Sequence, residues 1–107
     1  MGFAANNAVL YGIIARQSDL QLEAIMIDQQ KLQLGNMTTG LLNMQARLEP
    51  GSQASKILDS RIQQLAQAEK MLDIQLKRIN GQMEALKNER QTVEKWQEEN
   101  VKSFSMH

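Results

Sequence analysis

Along the second half of the chain, apolar residues return every three and four positions. The series runs Leu58, Ile62, Leu65, Leu72, Leu76, Ile79, Met83, Leu86 and Val93, interrupted by Glu69 and Arg90. A seam held for about five heptads, with charges crowding the other positions, predicts one long helix over about 53–103 whose apolar edge meets another helix. Gly81 lies within that pattern and costs about 1 kcal/mol relative to alanine.

The first half repeats differently. Ile13, Leu20, Ile27, Leu34, Leu41 and Leu48 recur at strict sevens, but the positions between them, Gln17, Ala24, Lys31, Thr38 and Gln45, are mostly polar. Other apolar residues occupy other sides: Tyr11, Ile25 and Leu32 on one, Leu22 on another, Met37 and Met44 on a third. A helix over about 3–48 with several apolar stripes needs several neighbours to cover it. On this reading the strict-seven residues Ile13, Leu20, Ile27, Leu34 and Leu41, together with Tyr11, form a surface between subunits. Gly35 and Gly40 sit inside the helical pattern, so 35–40 reads either as a kink or as unbroken helix.

Between the two patterns stands Leu48-Glu49-Pro50-Gly51-Ser52. Proline disfavours helical geometry in the residue before it, so the first helix is expected to stop by Glu49. Gly51 eases a turn over 49–52, and Ser52 or Ser55 can cap the next helix. So short a connection folds the helices back on each other. The expected fold is therefore all-α: a single-domain, two-helix antiparallel hairpin, coiled-coil-like, that completes its core by oligomerisation.

Composition sharpens this picture. In 107 residues there are 14 glutamines, one proline, no cysteine and 4% aromatics, which leaves little from which to build a sheet. Twelve basic and twelve acidic residues cancel, and no basic patch gives nucleic acid a foothold. Residues 3–15 are uncharged but too short, and too interrupted by Asn and Gly, to span a bilayer. The opening has no basic stretch ahead of an apolar core, so no secretory signal peptide is expected.

Chemistry is sparse. The single histidine, His107, is the last residue, and phosphate-binding loops, His–Glu metal pairs and nucleophile elbows are absent. Glu98 and Glu99 read as a solvated face, and the methionines at helical spacing as packing. No catalytic role, cofactor or metal is expected. Trp96 and Phe104 read as anchors for a neighbouring copy or as packing against Phe3 and Tyr11. Glu69 and Arg90, three heptads apart in one seam, face solvent in a lone hairpin or pair across subunits in an assembly.

An uncharged Ala/Asn-rich start, MGFAANNAVLYGIIA, a mid-chain PGSQAS turn and a helix running to the closing NVKSFSMH resemble the layout of axial subunits of type III secretion and flagellar systems. That class includes needle subunits and the helical terminal cores of flagellin. The resemblance implies stacking of many copies into a hollow tube, with the second helix lining the channel and Lys77, Arg78, Lys87 and Arg90 in a wet lumen. This chain is longer than a typical needle subunit. The element Ala15-Arg16-Gln17-Ser18-Asp19-Leu20 also resembles small bacterial proteins, which implies a bacterial origin. Secreted hairpins with Trp-x-Gly in the loop are set aside, because here the loop is Pro-Gly-Ser.

The functional expectation is a structural, self-assembling subunit of an extracellular filament or tube, its main partner itself, exported without a signal peptide and served by secretion-system or chaperone partners. The alternative is a cytoplasmic coiled-coil adaptor or export chaperone that grips a partner helix.

Overall fold

A computed structural model describes residues 2–105, with the side chains of 104 and 105 outside the description. The chain forms two helices, α1 (Phe3–Gln45) and α2 (Gln53–Ser105), joined as an antiparallel hairpin. Among the described residues there is no strand, and no helix is long and apolar enough to cross a membrane.

α1 stops three residues earlier than the heptad pattern suggests. Its last turn tightens, with the Arg47 amide donating to the Met44 carbonyl at 3.1 Å and the Leu48 amide to the Gln45 carbonyl at 3.0 Å. Such i to i+3 bonds are a common way to satisfy the last carbonyls of a helix. The Ser52 amide then donates to the Glu49 carbonyl at 3.1 Å, and Gly51 has φ +79°. Proline at the second position and a positive-φ glycine at the third make Glu49-Pro50-Gly51-Ser52 a type II turn. Ser52 caps α2. Its Oγ accepts from the Ser55 amide at 3.2 Å, while its carbonyl accepts from the Lys56 amide at 3.0 Å.

At 35–40, α1 continues unbroken through both glycines. Thr38 and Thr39 fold their hydroxyls back onto the Leu34 and Gly35 carbonyls at 2.9 and 3.0 Å. Helical backbone bonding outweighs the entropic cost of the two glycines once α2 supports the segment.

The hairpin divides into two units, each an antiparallel pair of helical segments. One comprises the chain up to Glu23 with the chain from Arg78. Ile13, Leu86 and Val93 form its core, against which Val9, Leu10 and Leu20 pack. Val93 is 1% exposed, and Ile79 is also buried. The second unit, residues 24–77, is looser. Ile27 and Leu58 are buried, while Leu34, Leu41, Ile62, Leu65, Leu72 and Leu76 are half-buried. In this unit the seam positions of α1 between the leucines are Ala24, Lys31 and Thr38, which bring little apolar bulk.

These placements correct one expectation. Ile13 and Ile27, assigned above to an inter-subunit surface, are buried within the hairpin, and Leu20, Leu34 and Leu41 are half-buried. The polar positions between them suggested that this stripe faces away from α2. In the hairpin Gln17, Lys31 and Gln45 meet polar partners on α2 instead, and Ala24 and Thr38 are half-buried, so the whole 3–4 series of α1 belongs to the seam.

Candidate assembly interface

Three polar positions of the α1 seam are matched on α2. In the first unit, Arg90 donates from Nη1 to Gln17 Oε1 at 3.1 Å and from Nε to Glu94 Oε1 at 2.9 Å, and Gln97 donates to Asn7 Oδ1. In the second, Lys31 Nζ pairs with Asp73 Oδ1 at 2.5 Å. Gln45 donates to the Ser55 carbonyl at 3.3 Å and also to Asp59 Oδ1. The hydrogen bond to Asp73 holds the Lys31 ammonium above its ordinary value, burial opposes this, and the charges of Asp73, Glu69 and Asp28 add to the rise. Arg90 is thus engaged within its own chain, and the Glu69 charge acts on Lys31.

The predicted α2 seam lies where the periodicity put it. Leu58, Ile79, Leu86 and Val93 are buried, and Ile62, Leu65, Leu72, Leu76 and Met83 are half-buried. Sequence reasoning missed the outermost seam member on each helix. Asn6 is fully buried, one heptad before Ile13, and Ser55 is buried three residues before Leu58. Extending the sevens by one step reaches Asn6, but a polar residue there carries no apolar signal.

With the seam filled from both helices, exposed apolar side chains remain on both: Ile57, Met71, Ile74 and Val101 on α2, and a larger set on α1. Tyr11 is 70% exposed and Leu32 67%; Leu22, Ile25, Met26, Met37 and Met44 are also exposed. Tyr11, Ile25 and Leu32 share one heptad position, immediately after the seam position. α1 carries only five charged residues, Arg16, Asp19, Glu23, Asp28 and Lys31, against seventeen on α2. Of the other expected contact residues, Trp96 is exposed at 40%, and the Phe104 side chain lies outside the described residues, as does His107.

Depressions lie along the hairpin. In the second unit, a mostly apolar groove of about 440 Å³ is bounded by Met37, Gly40, Leu41, Met44, Arg61, Gln64 and Leu65. Gly40, which brings no side chain, lies on its wall. Another, about 310 Å³, has amides, a serine and the engaged Arg90 on its walls and no acid–base pair. No group of three metal-ligating side chains occurs among the described residues. Comparison with protein families, with curated proteins and with solved structures finds no match to this chain.

Proposed function

We propose that this chain is a structural subunit that assembles with further copies of itself, the outward side of α1 packing against its neighbours. The observation that carries this reading is the contrast between the two helices. Large side chains at 50–70% exposure, such as Ile25 at 53%, Leu32 at 67% and Tyr11 at 70%, sit on a helix almost free of charge. Scattered exposed apolar residues are ordinary, but a repeated series on a helix with few charges marks a contact surface. The apolar residues of α1 spread around the helix rather than on one side, and more than one covered face calls for more than one neighbour. Repetition of such contacts builds a filament or tube. Its extracellular placement follows from the resemblance in layout to axial secretion subunits.

The test is negative-stain electron microscopy with sedimentation over a concentration series. Uniform filaments or tubes are expected. Small particles at every concentration would sink the proposal and favour a second reading. In that reading the methionine-bounded groove of the second unit holds a partner helix, since methionine adapts to varied apolar ligands.

A further inference from the structure

The groove of the second unit and the tryptophan of the first have complementary chemistry. The groove is mostly apolar, with the Met37 and Met44 thioethers at its edge, and the one charged residue bounding it is Arg61. Arg61 has no ion pair among the described residues. Trp96 is the only tryptophan of the chain and stands 40% exposed. On its side of α2, Glu89 lies two turns before it and Glu99 one turn after, with Thr92 between and no cation. Neither carboxylate has an ion pair among the described residues. A tryptophan flanked by unpaired acids fits an apolar slot edged by thioethers and an unpaired guanidinium. Sulfur–aromatic contact, cation–π attraction and charge pairing all favour it.

Arg61 and Trp96 occupy the same heptad position of the α2 sequence, five heptads apart. We propose that Trp96 of one copy enters the Met37–Met44 groove of the next, with Glu99 or Glu89 against Arg61. This inference rests on the reading of the chain as a self-assembling subunit and supplies its longitudinal contact. The contact joins two different surfaces, so each copy offers one of each, and such head-to-tail contacts do not terminate unless they close a ring.

Trp96 is its own probe. Emission of the wild-type chain is expected to move to shorter wavelength over the concentration range in which sedimentation shows assembly. Gly40→Leu fills the groove at a site with no atom within 4 Å of a new Cβ, so the hairpin is retained, as circular dichroism would verify. That variant should lose the emission shift. Arg61→Glu should raise the concentration needed for assembly about tenfold, equivalent to about 1.4 kcal/mol. Combining it with Glu89→Arg and Glu99→Arg should restore assembly. If the wild-type chain assembles with unchanged emission, or Gly40→Leu assembles with the same shift, this contact is wrong while the subunit reading stands. If the wild-type chain never assembles, both fall.

Discussion

Arg90 and Gln17, 73 residues apart in sequence, are joined by a 3.1 Å hydrogen bond across the hairpin. Both occupy seam positions, so the bond forms in one register of the two helices and is lost when either slides by a heptad. Its strength is moderate. A hydrogen bond to a charged group contributes about 1.5–3 kcal/mol when sheltered, but the Arg90 side chain is 42% exposed. A double-mutant cycle of Arg90→Ala and Gln17→Ala, read by urea unfolding, is expected to give a coupling of about 0.5–1 kcal/mol. Replacing both by leucine should hold or raise stability, because polar seam residues fix register more than they stabilise. No measurable coupling would show that the register is set elsewhere.

The division between seam and outer surface separates two classes of variant. Leu86 is 4% exposed beside Ile13 and Val93, so Leu86→Ala should cost about 3 kcal/mol of unfolding free energy. Ile27→Asp would place a charge in the seam and is expected to unfold the hairpin rather than merely block assembly. Leu32→Asp, at 67% exposure, should leave helicity and melting nearly unchanged while suppressing sedimentation of large species. Melting by circular dichroism and sedimentation of the same samples make the comparison. Normal assembly of Leu32→Asp would remove the outer side of α1 as the contact surface.

Glycine is required at one place in the turn and merely tolerated in the helices. Gly51 has φ +79°, where a side chain costs about 1–2 kcal/mol, so Gly51→Ala should destabilise by about 1 kcal/mol. Gly12 is helical and exposed, and nothing lies within 4 Å of a new Cβ. Gly12→Ala should therefore stabilise by up to about 1 kcal/mol. A urea midpoint that is unchanged or raised in Gly51→Ala would contradict the type II turn.

The sequence made α2 legible and half-concealed α1, for a physical reason. Where Leu58 to Val93 bury apolar atoms, the period itself reveals which edge is covered. Along α1 the alternate seam positions are Gln17, Lys31 and Gln45, and their fit depends on Arg90, Asp73, Ser55 and Asp59 arriving opposite. Such pairing is a property of register, which a single helix pattern does not contain. The assembly residues suffered most, because a strict-seven stripe with polar partners looks like a face turned outward. The turn was readable from Pro50-Gly51 because its chemistry is local. The end of α1 was not, since its closing i to i+3 bonds leave no sequence mark.

The Lys31–Asp73 pair gives a pH dependence with a definite sign. The folded state holds the Lys31 ammonium above its ordinary 10.5, first through the hydrogen bond it donates to Asp73. A raised pKa means that the folded chain binds this proton more tightly than the unfolded chain does. The contribution is therefore complete below the unfolded value and is lost as pH rises through the folded one. Wild-type and Lys31→Met chains should show a constant difference in urea midpoint from neutral pH to about pH 10. The difference should then shrink at higher pH. A gap that widens there would reverse the assigned direction.

Asn6 is the costliest residue of the seam. It is fully buried, and among the described residues neither its amide nitrogen nor its oxygen has a hydrogen-bond partner. Leaving buried donors and acceptors unmatched costs about 1–3 kcal/mol per group, whereas an apolar side chain of similar shape carries no such penalty. Asn6→Leu should therefore stabilise the hairpin by about 1–2 kcal/mol, raising the melting temperature by roughly 4–8 °C per kcal/mol in a domain of this size. The residue occupies the same heptad position as Ile13, Leu20 and Ile27, so leucine continues the series of its helix. Polar residues at such positions are retained in other coiled coils because they restrict register and partner number. The same substitution should accordingly broaden the distribution of assembled species in sedimentation velocity. A lower melting temperature would mean that Asn6 is satisfied in solution. A higher one with an unchanged species distribution would assign it a cost to stability with no return in specificity.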